Sequence, residues 1–322
     1  MSRILITTSS FGKDDPSPLN LLQNAGYEAI TNPYGRKLTE AEALDLLSEV
    51  KPVGIIAGLE PITAHVLQQA KGLKAISRCG VGLDNVDLNA AGSLGIAVAN
   101  TPDAPTEAVA ELTIGLIFNL LRRVSFFDRE LRKGNWIKET GSLVRGKRVG
   151  IIGLGRIGKE VAEMLLALGA KVAGTDIKPD YEWLQKNQVP LVSLEELLKQ
   201  SGILCLHLSP KPDNEHLIGR KEMEAMPKGA YLINTSRGEV IDPDALYSML
   251  TNGHLSGAAL DVFDQEPYTG PLTRLDNVIL TPHIGSYTKE TRLEMETQAV
   301  KNLLSTLNTH TDTEPEKPNP AI

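Results

Sequence analysis

Three polar clusters follow apolar runs in the second half of this chain, and together they hold the side chains for one reaction. They are Asn234-Thr235-Ser236-Arg237-Gly238, Asp261-Val262-Phe263-Asp264-Gln265-Glu266-Pro267 and Thr281-Pro282-His283-Ile284-Gly285. Each preceding run reads as a strand, so each cluster falls at a carboxyl end, the edge where doubly wound sheets bind ligands. Arg237 suits the clamping of a carboxylate and a carbonyl oxygen through bidentate, charge-assisted bonds. His283 suits removal of a hydroxyl proton as hydride leaves the carbon, and its return in the reverse direction. Glu266 suits the fixing of one imidazole tautomer, and its charge favours the protonated ring. Taken singly, each of the three is more often a structural loop residue. Jointly they fit the interconversion of a 2-hydroxy acid and a 2-oxo acid, which needs a hydride carrier. The other histidines (His65, His207, His216, His254 and His310) have no such setting.

A site for the carrier precedes these clusters. Gly153-Leu154-Gly155-Arg156-Ile157-Gly158 follows the apolar run Val149-Gly150-Ile151-Ile152 and opens a helical pattern from Lys159 to Leu168. A second strand-like run, Lys171 to Thr175, then delivers Asp176. Gly153 permits a tight turn, Gly155 lets backbone approach a pyrophosphate, and Gly158 lets helix and strand pack closely. The free N–H groups at the helix start face the phosphate charge. Asp176 stands where a carboxylate accepts hydrogen bonds from both ribose hydroxyls, and it would repel a 2′-phosphate. The cofactor expected is therefore NAD.

The elements that must position these residues alternate between strand and helix almost throughout, which implies parallel sheets covered on both faces. The expected strands are Arg3–Thr7, Tyr27–Ile30, Val53–Ile56 and Lys74–Ser77, then, beyond the glycine motif, Ile203–Leu208, Ala230–Asn234, Gly257–Asp261 and Val278–Leu280. A long helical pattern runs from Thr106 to Leu131, with Thr106 as its cap. Another runs from Lys289 to Leu307, and the polar tail 311–322 is expected to be poorly ordered unless it docks. Because the cofactor motif lies mid-chain, a whole α/β unit precedes it. The fold expected is α/β, with two Rossmann-like doubly wound domains. Residues 100–286 form the NAD-binding domain, inserted into a substrate-binding domain of 1–99 plus 287–322.

With 33 basic and 40 acidic residues, the 322-residue chain carries a net charge of −7 and no basic block. That argues against nucleic acid or anionic membrane as a partner. Its two cysteines, Cys79 and Cys205, form neither a disulfide framework nor a metal-ligand spacing. The opening Met1-Ser2-Arg3-Ile4-Leu5-Ile6 reads as a first strand rather than a signal peptide. No apolar run reaches membrane-spanning length. The expectation is a cytoplasmic enzyme with a small anionic substrate and no metal.

Further stretches carry a resemblance: Arg78-Cys79-Gly80-Val81-Gly82-Leu83-Asp84-Asn85-Val86-Asp87, Asn100-Thr101-Pro102, Val109-Ala110-Glu111, Gly134-Asn135-Trp136 and Arg145-Gly146-Lys147-Arg148. With the fingerprint and the three clusters, they make the chain resemble the D-isomer-specific 2-hydroxyacid dehydrogenase family over essentially its whole length. The resemblance implies Arg237, Glu266 and His283 as the catalytic set. It implies a cofactor site lined by Arg156, Ile157, Asp176, Asn234, Thr235, Ser236, Arg237 and Asp261. It also implies that the backbone around Cys79, Gly80 and Val81 grips the substrate carboxylate, and that a homodimer forms through about 100–145, including Trp136.

Within the family the likeness points to the phosphoglycerate dehydrogenase-like branch, with Arg78 reaching a second anionic group. One departure opposes this. Where that branch often has arginine, this chain has Ala57-Gly58-Leu59-Glu60, and a phosphate facing Glu60 is repelled unless Arg78 or Lys13 offsets it. The alternatives are reduction of hydroxypyruvate or glyoxylate, another 2-hydroxyacid dehydrogenase, and, in a different class, an NAD-sensing corepressor without turnover. Glu266 speaks against a formate dehydrogenase, for which glutamine is expected at that position.

Overall fold

The computed structural model describes residues 1–209 and 212–311, so the tail from 312 onward lies outside the described residues. The chain divides into two compact units. One holds Met1–Pro105 and the chain from Tyr287 onward, and the other holds Thr106–Ser286.

The first unit is built on five parallel strands: β1 (Ser2–Ile6), β2 (Tyr27–Thr31), β3 (Gly54–Ala57), β4 (Ala75–Arg78) and β5 (Ala97–Asn100). Their order is β2-β1-β3-β4-β5, so the winding reverses between β1 and β3. Strands β3 and β4 are buried along their whole length, as central strands covered on both faces must be. One face is covered by helices that include Glu40–Val50. Thr39 and Glu42 close a reciprocal cap there, and Ala43, Leu46, Leu47 and Val50 point inward. The helix Lys289–Thr311 covers the other face with Met295, Ala299, Val300, Leu303 and Leu307, packed near Ile4, Ile6 and Ile56. Leu303 is fully buried, and its truncation to alanine would cost about 2–5 kcal/mol.

The second unit has six parallel strands: β6 (Arg148–Ile152), β7 (Lys171–Thr175), β8 (Ile203–Leu206), β9 (Ala230–Asn234), β10 (Leu255–Leu260) and β11 (Val278–Leu280). They lie in the order β11-β10-β9-β8-β6-β7. Helices Thr106–Arg122 and Arg156–Ala167 cover one face around Leu116, Ile117, Val161 and Leu165. Helices Leu194–Gln200, Arg220–Ala225 and Pro243–Thr251 cover the other around Leu204, Leu232 and Leu246.

Some elements differ from expectation. The helical pattern from Thr106 to Leu131 is two helices, Thr106–Arg122 and Val124–Arg132, broken where Arg123 takes a left-handed φ of 50°. Thr106 is the first residue of its helix and not the residue before it. Strand β5 and the helix Tyr181–Asn187 were not anticipated. The first crossing between units falls after Pro105, beyond the expected 99/100: β5 pairs with β4 in the first sheet as far as Asn100, and Ala104 packs into the core of that unit.

Candidate active site

The fingerprint turn forms at the carboxyl end of β6. Gly153 has a φ of 91°, and a Cβ there would collide with the carbonyl oxygen of His207. A Cβ on Gly158 would collide with the Gly153 carbonyl oxygen, so helix and turn touch backbone to backbone. Around Gly155, by contrast, a Cβ would meet nothing within 4 Å. The fold does not need a glycine there, and the open space is what an approaching pyrophosphate would use. Gly155 precedes the 12-residue helix Arg156–Ala167, whose first N–H groups have no partner within the helix. Arg156 is exposed and Ile157 half-buried.

Asp176, just past β7, is fixed by backbone. Its Oδ2 accepts the N–H of Leu154, inside the fingerprint, at 2.6 Å, and its Oδ1 accepts that of Lys178 at 2.7 Å. The next side chain, Ile177, is 80% exposed. These features fit a dinucleotide, with phosphate at the helix start, ribose at Asp176 and an apolar surface beside it.

Beyond β9, Asn234 builds the turn that carries Arg237. Its Nδ2 donates to the Arg237 carbonyl at 2.7 Å, and its Oδ1 accepts from Ser236 N at 3.0 Å and Ser236 Oγ at 2.7 Å. Thr235 Oγ1 lies 3.0 Å from Thr113 Oγ1, which itself donates to Val109 O at 2.8 Å, so Thr235 is the donor of that pair. The half-buried Arg237 donates from Nη1 to Ser236 O at 2.8 Å. Its neighbour Gly238 is pressed against the Phe263–Asp264 backbone, which ties the β9 loop to the β10 loop.

Beyond β10, Glu266 Oε1 accepts from Phe263 N at 3.3 Å. Beyond β11, His283 Nδ1 stands 3.1 and 3.0 Å from the two Glu266 oxygens. His283 holds a left-handed φ of 54°. Asp261 anchors its loop: Oδ1 accepts from Thr281 Oγ1 at 2.6 Å and from Ile284 N at 2.8 Å, while Oδ2 accepts from Gly285 N at 2.8 Å. Burial raises the Asp261 carboxyl above the usual range, against the pull of those three donors. Both oxygens of Asp261, a residue that the resemblance puts at the cofactor site, hold the histidine loop.

The segment Arg78-Cys79-Gly80-Val81 lies at the carboxyl end of β4 in the first unit. Cys79 N donates to Ala57 O and Gly80 N to Arg78 O, each at 3.0 Å. Of the three N–H groups expected to grip a carboxylate, only that of Val81 makes no backbone bond among the described residues. The Arg78 guanidinium folds over Gly80 and donates from Nη1 to the carbonyl of Cys79.

One buried group was not singled out in the sequence. His207, just past β8, has both ring nitrogens buried without a hydrogen-bond partner, and burial pushes its pKa down to about 4. A lone histidine in a sequence gives no sign of this. His254, in contrast, sits with Nε2 at 3.0 and 3.1 Å from the carbonyls of Met223 and Met226, a structural role. Among the described residues no cluster of His, Cys, Asp and Glu could hold a metal, and no helix is long and apolar enough to cross a membrane.

Residues 114–285 match the family model for the D-isomer specific 2-hydroxyacid dehydrogenase NAD binding domain. A glyoxylate reductase of Thermofilum pendens is 41% identical over 77% of this chain and 76% of its own length. A D-3-phosphoglycerate dehydrogenase of Methanocaldococcus jannaschii is 40% identical over 79% of this chain but only 49% of its own. The crystal structure of D-lactate dehydrogenase from Aquifex aeolicus, complexed with NAD and lactic acid, superposes with a TM-score of 0.84 at 29% identity, covering 96% of each chain. The chain belongs to the D-isomer-specific 2-hydroxyacid dehydrogenase family, NAD-dependent oxidoreductases acting on the CH–OH group of 2-hydroxy acids.

Proposed function

We propose that this enzyme reduces a small 2-oxo acid to the D-2-hydroxy acid, and the reverse, with His283 as acid/base, Glu266 as its positioning partner and Arg237 as the clamp on carboxylate and carbonyl oxygen. The observation that carries this is the His283–Glu266 pair, held in loops at the ends of adjacent strands with Arg237 in the third. Bound NADH supplies the hydride. A carboxylate can only accept, so the proton of His283 sits on Nδ1 and leaves Nε2 to exchange one with substrate oxygen. Arg237 neutralises charge that grows on that oxygen. Gly153, Gly155, Arg156, Ile157 and Gly158 would hold the pyrophosphate that links the two halves of the cofactor. Asp176 takes the ribose hydroxyls, Ile177 offers the adenine an apolar face, and Asn234, Thr235 and Ser236 line the nicotinamide end. Arg78, Cys79, Gly80 and Val81 contribute to substrate binding, chiefly through the Val81 N–H.

Reduction of a small acid such as glyoxylate or hydroxypyruvate is favoured over oxidation of 3-phosphoglycerate. Glu60 is buried and the Arg78 guanidinium is turned onto the Cys79 carbonyl, which leaves poor provision for a phosphate. The subunit works as a homodimer through about 100–145, a stretch with exposed apolar side chains that include Val124, Leu131, Trp136 and Leu143. Two buried free thiols suit a reducing, cytoplasmic setting. NADH oxidation across glyoxylate, hydroxypyruvate, pyruvate and phosphohydroxypyruvate tests the reading. Turnover with the small acids is expected. NADH binding without turnover on any of the four would overturn this substrate reading and favour another 2-hydroxy acid or the NAD-sensing corepressor.

A further inference from the structure

On the reading of Arg78-Cys79-Gly80-Val81 as part of the substrate site, we infer that Arg292 and Glu296, on the closing helix Lys289–Thr311, are positioning residues for substrate binding. Their buried ion pair sets the spacing between the loops that follow β1 and β4. Arg292 Nη2 donates to Glu296 Oε1 at 2.6 Å, one helical turn away. The other oxygen, Oε2, accepts from Gly12 N at 2.8 Å, in the loop after β1. The guanidinium also lies against the thiol of Cys79, the first residue after β4. Its charge and a hydrogen bond from it oppose the rise that burial imposes on that thiol. The strand order runs β1-β3-β4, so one turn of helix holds the loops on either side of β3. Ligands bind at the carboxyl ends of strands in such sheets.

Packing alone does not call for this pair. Arg292 and Glu296 are 7% and 4% exposed, on a helix whose other buried residues are mostly apolar, among them Met295, Ala299 and Val300. Apolar residues of similar volume in place of a buried ion pair are often as stable or more so. Arg292 Nε is also left buried without a partner, a cost that a merely stabilising residue has no reason to carry. What the pair adds is direction. Burial raises the Glu296 carboxyl, and Arg292 and the Gly12 N–H both pull it back. Without Arg292 the carboxyl takes up a proton more readily and holds the Gly12 loop less firmly. The guanidinium also stacks over the ring of Tyr287, 5.3 Å from its centroid, where the chain re-enters this unit. Arg292 is thus fixed against the chain entry, the Cys79 thiol and the carboxylate that holds Gly12.

The test is steady-state kinetics on Arg292→Met and Arg292→Lys, with whichever of glyoxylate, hydroxypyruvate, pyruvate and phosphohydroxypyruvate the wild type reduces best. A misplaced binding group weakens capture of the acid, so Arg292→Met should raise KM about tenfold or more. Its kcat should stay within about threefold and its Kd for NADH within about twofold, since the hydride and proton chemistry lies in the other unit. Lysine can still pair with Glu296, so Arg292→Lys should recover most of the loss. A folded Arg292→Met with unchanged KM overturns the inference and leaves the dehydrogenase reading intact. So does one in which KM, kcat and NADH affinity all worsen together, the mark of general damage. A wild type that reduces none of the four acids overturns both. If Arg292→Met does not fold, Arg292→Met with Glu296→Gln removes both charges and keeps an acceptor for Gly12, and the same KM rise is expected. If that also fails, hydrogen exchange of the wild type decides. Addition of NADH and oxamate, an unreactive 2-oxo acid analogue, should slow exchange in peptides covering 10–13 and 79–82 together. Protection of 79–82 with no change at 10–13 overturns the inference.

Discussion

The imidazole of His283 and the carboxylate of Glu266 meet through one nitrogen and two oxygens, with Nδ1 3.1 Å from Oε1 and 3.0 Å from Oε2. The near-equal distances leave the ring little reason to turn, and general acid/base work needs that constancy. Replacing His283 by glutamine keeps a polar side chain but removes the exchangeable proton. We expect kcat to fall by roughly 10²–10⁴, with NADH affinity retained in a fluorescence titration. A kcat within threefold of wild type would remove His283 from the mechanism.

Arg237→Ala deletes the clamp. Truncating one member of a buried charge pair costs about 2–5 kcal/mol, which is roughly 30-fold or more in binding. Steady-state kinetics should show KM for the oxo acid rising by about that factor and kcat falling with it, since the interaction strengthens as charge develops. An unchanged KM would place the arginine outside the substrate site.

Asp176→Ala removes the carboxylate that the Leu154 and Lys178 N–H groups hold in place. Hydrogen bonds to a charged group are worth about 1.5–3 kcal/mol, so the Kd for NADH should rise at least tenfold. NADPH loses a repulsion along with the contact, so its Kd should change far less. Equal losses for the two cofactors would mean that the ribose contact lies elsewhere.

His207 gives a pH dependence. Its folded pKa is depressed to about 4 by burial, whereas the unfolded chain takes up that proton near 6.5. Between those values the unfolded state binds more protons, so acidification lowers stability, by about 3 kcal/mol in all, and the effect levels off below pH 4. Melting temperatures from pH 4 to 7.5 should therefore fall less steeply in His207→Gln than in the wild type. Parallel curves would show that the ring is not buried as a neutral base.

Trp136 is 77% exposed in the single chain, with Leu131 and Leu143 exposed on the same stretch. Sedimentation should give twice the chain mass for the wild type. Trp136→Glu combined with Leu143→Glu should shift the equilibrium towards monomer at micromolar concentration. A monomeric wild type would rule out the homodimer.

Much of this was legible in the sequence because the chemistry demands it. A glycine motif between strand and helix, an acid after the next strand, and Arg, Glu and His after later strands leave few alternatives. What escaped was information carried by backbone. The break at Arg123 has no glycine or proline to announce it, and apolar residues continue through Leu121 and Val124 as if one helix ran on. Strand β5 is four half-buried residues at a sheet edge, too short and too mixed for a periodic signal. The helix Tyr181–Asn187 had a usable sign, since Asp180 caps it by accepting from Trp183 N. Residue types also cannot tell which N–H groups are already committed. Cys79 and Gly80 looked available for a carboxylate and are bonded to Ala57 and Arg78. Residue type also gave no sign that Asp261 anchors the histidine loop through Thr281, Ile284 and Gly285.

Strand β11 is only three residues long and pairs with β10 alone, yet the loop it feeds carries His283. The fingerprint turn, by contrast, grows from β6, which has neighbours on both sides. Local opening begins where the ladder is thinnest and one-sided. On gentle warming the enzyme should therefore pass through a state that still captures dinucleotide but cannot move a proton. Catalysis, in such a protein, melts before recognition.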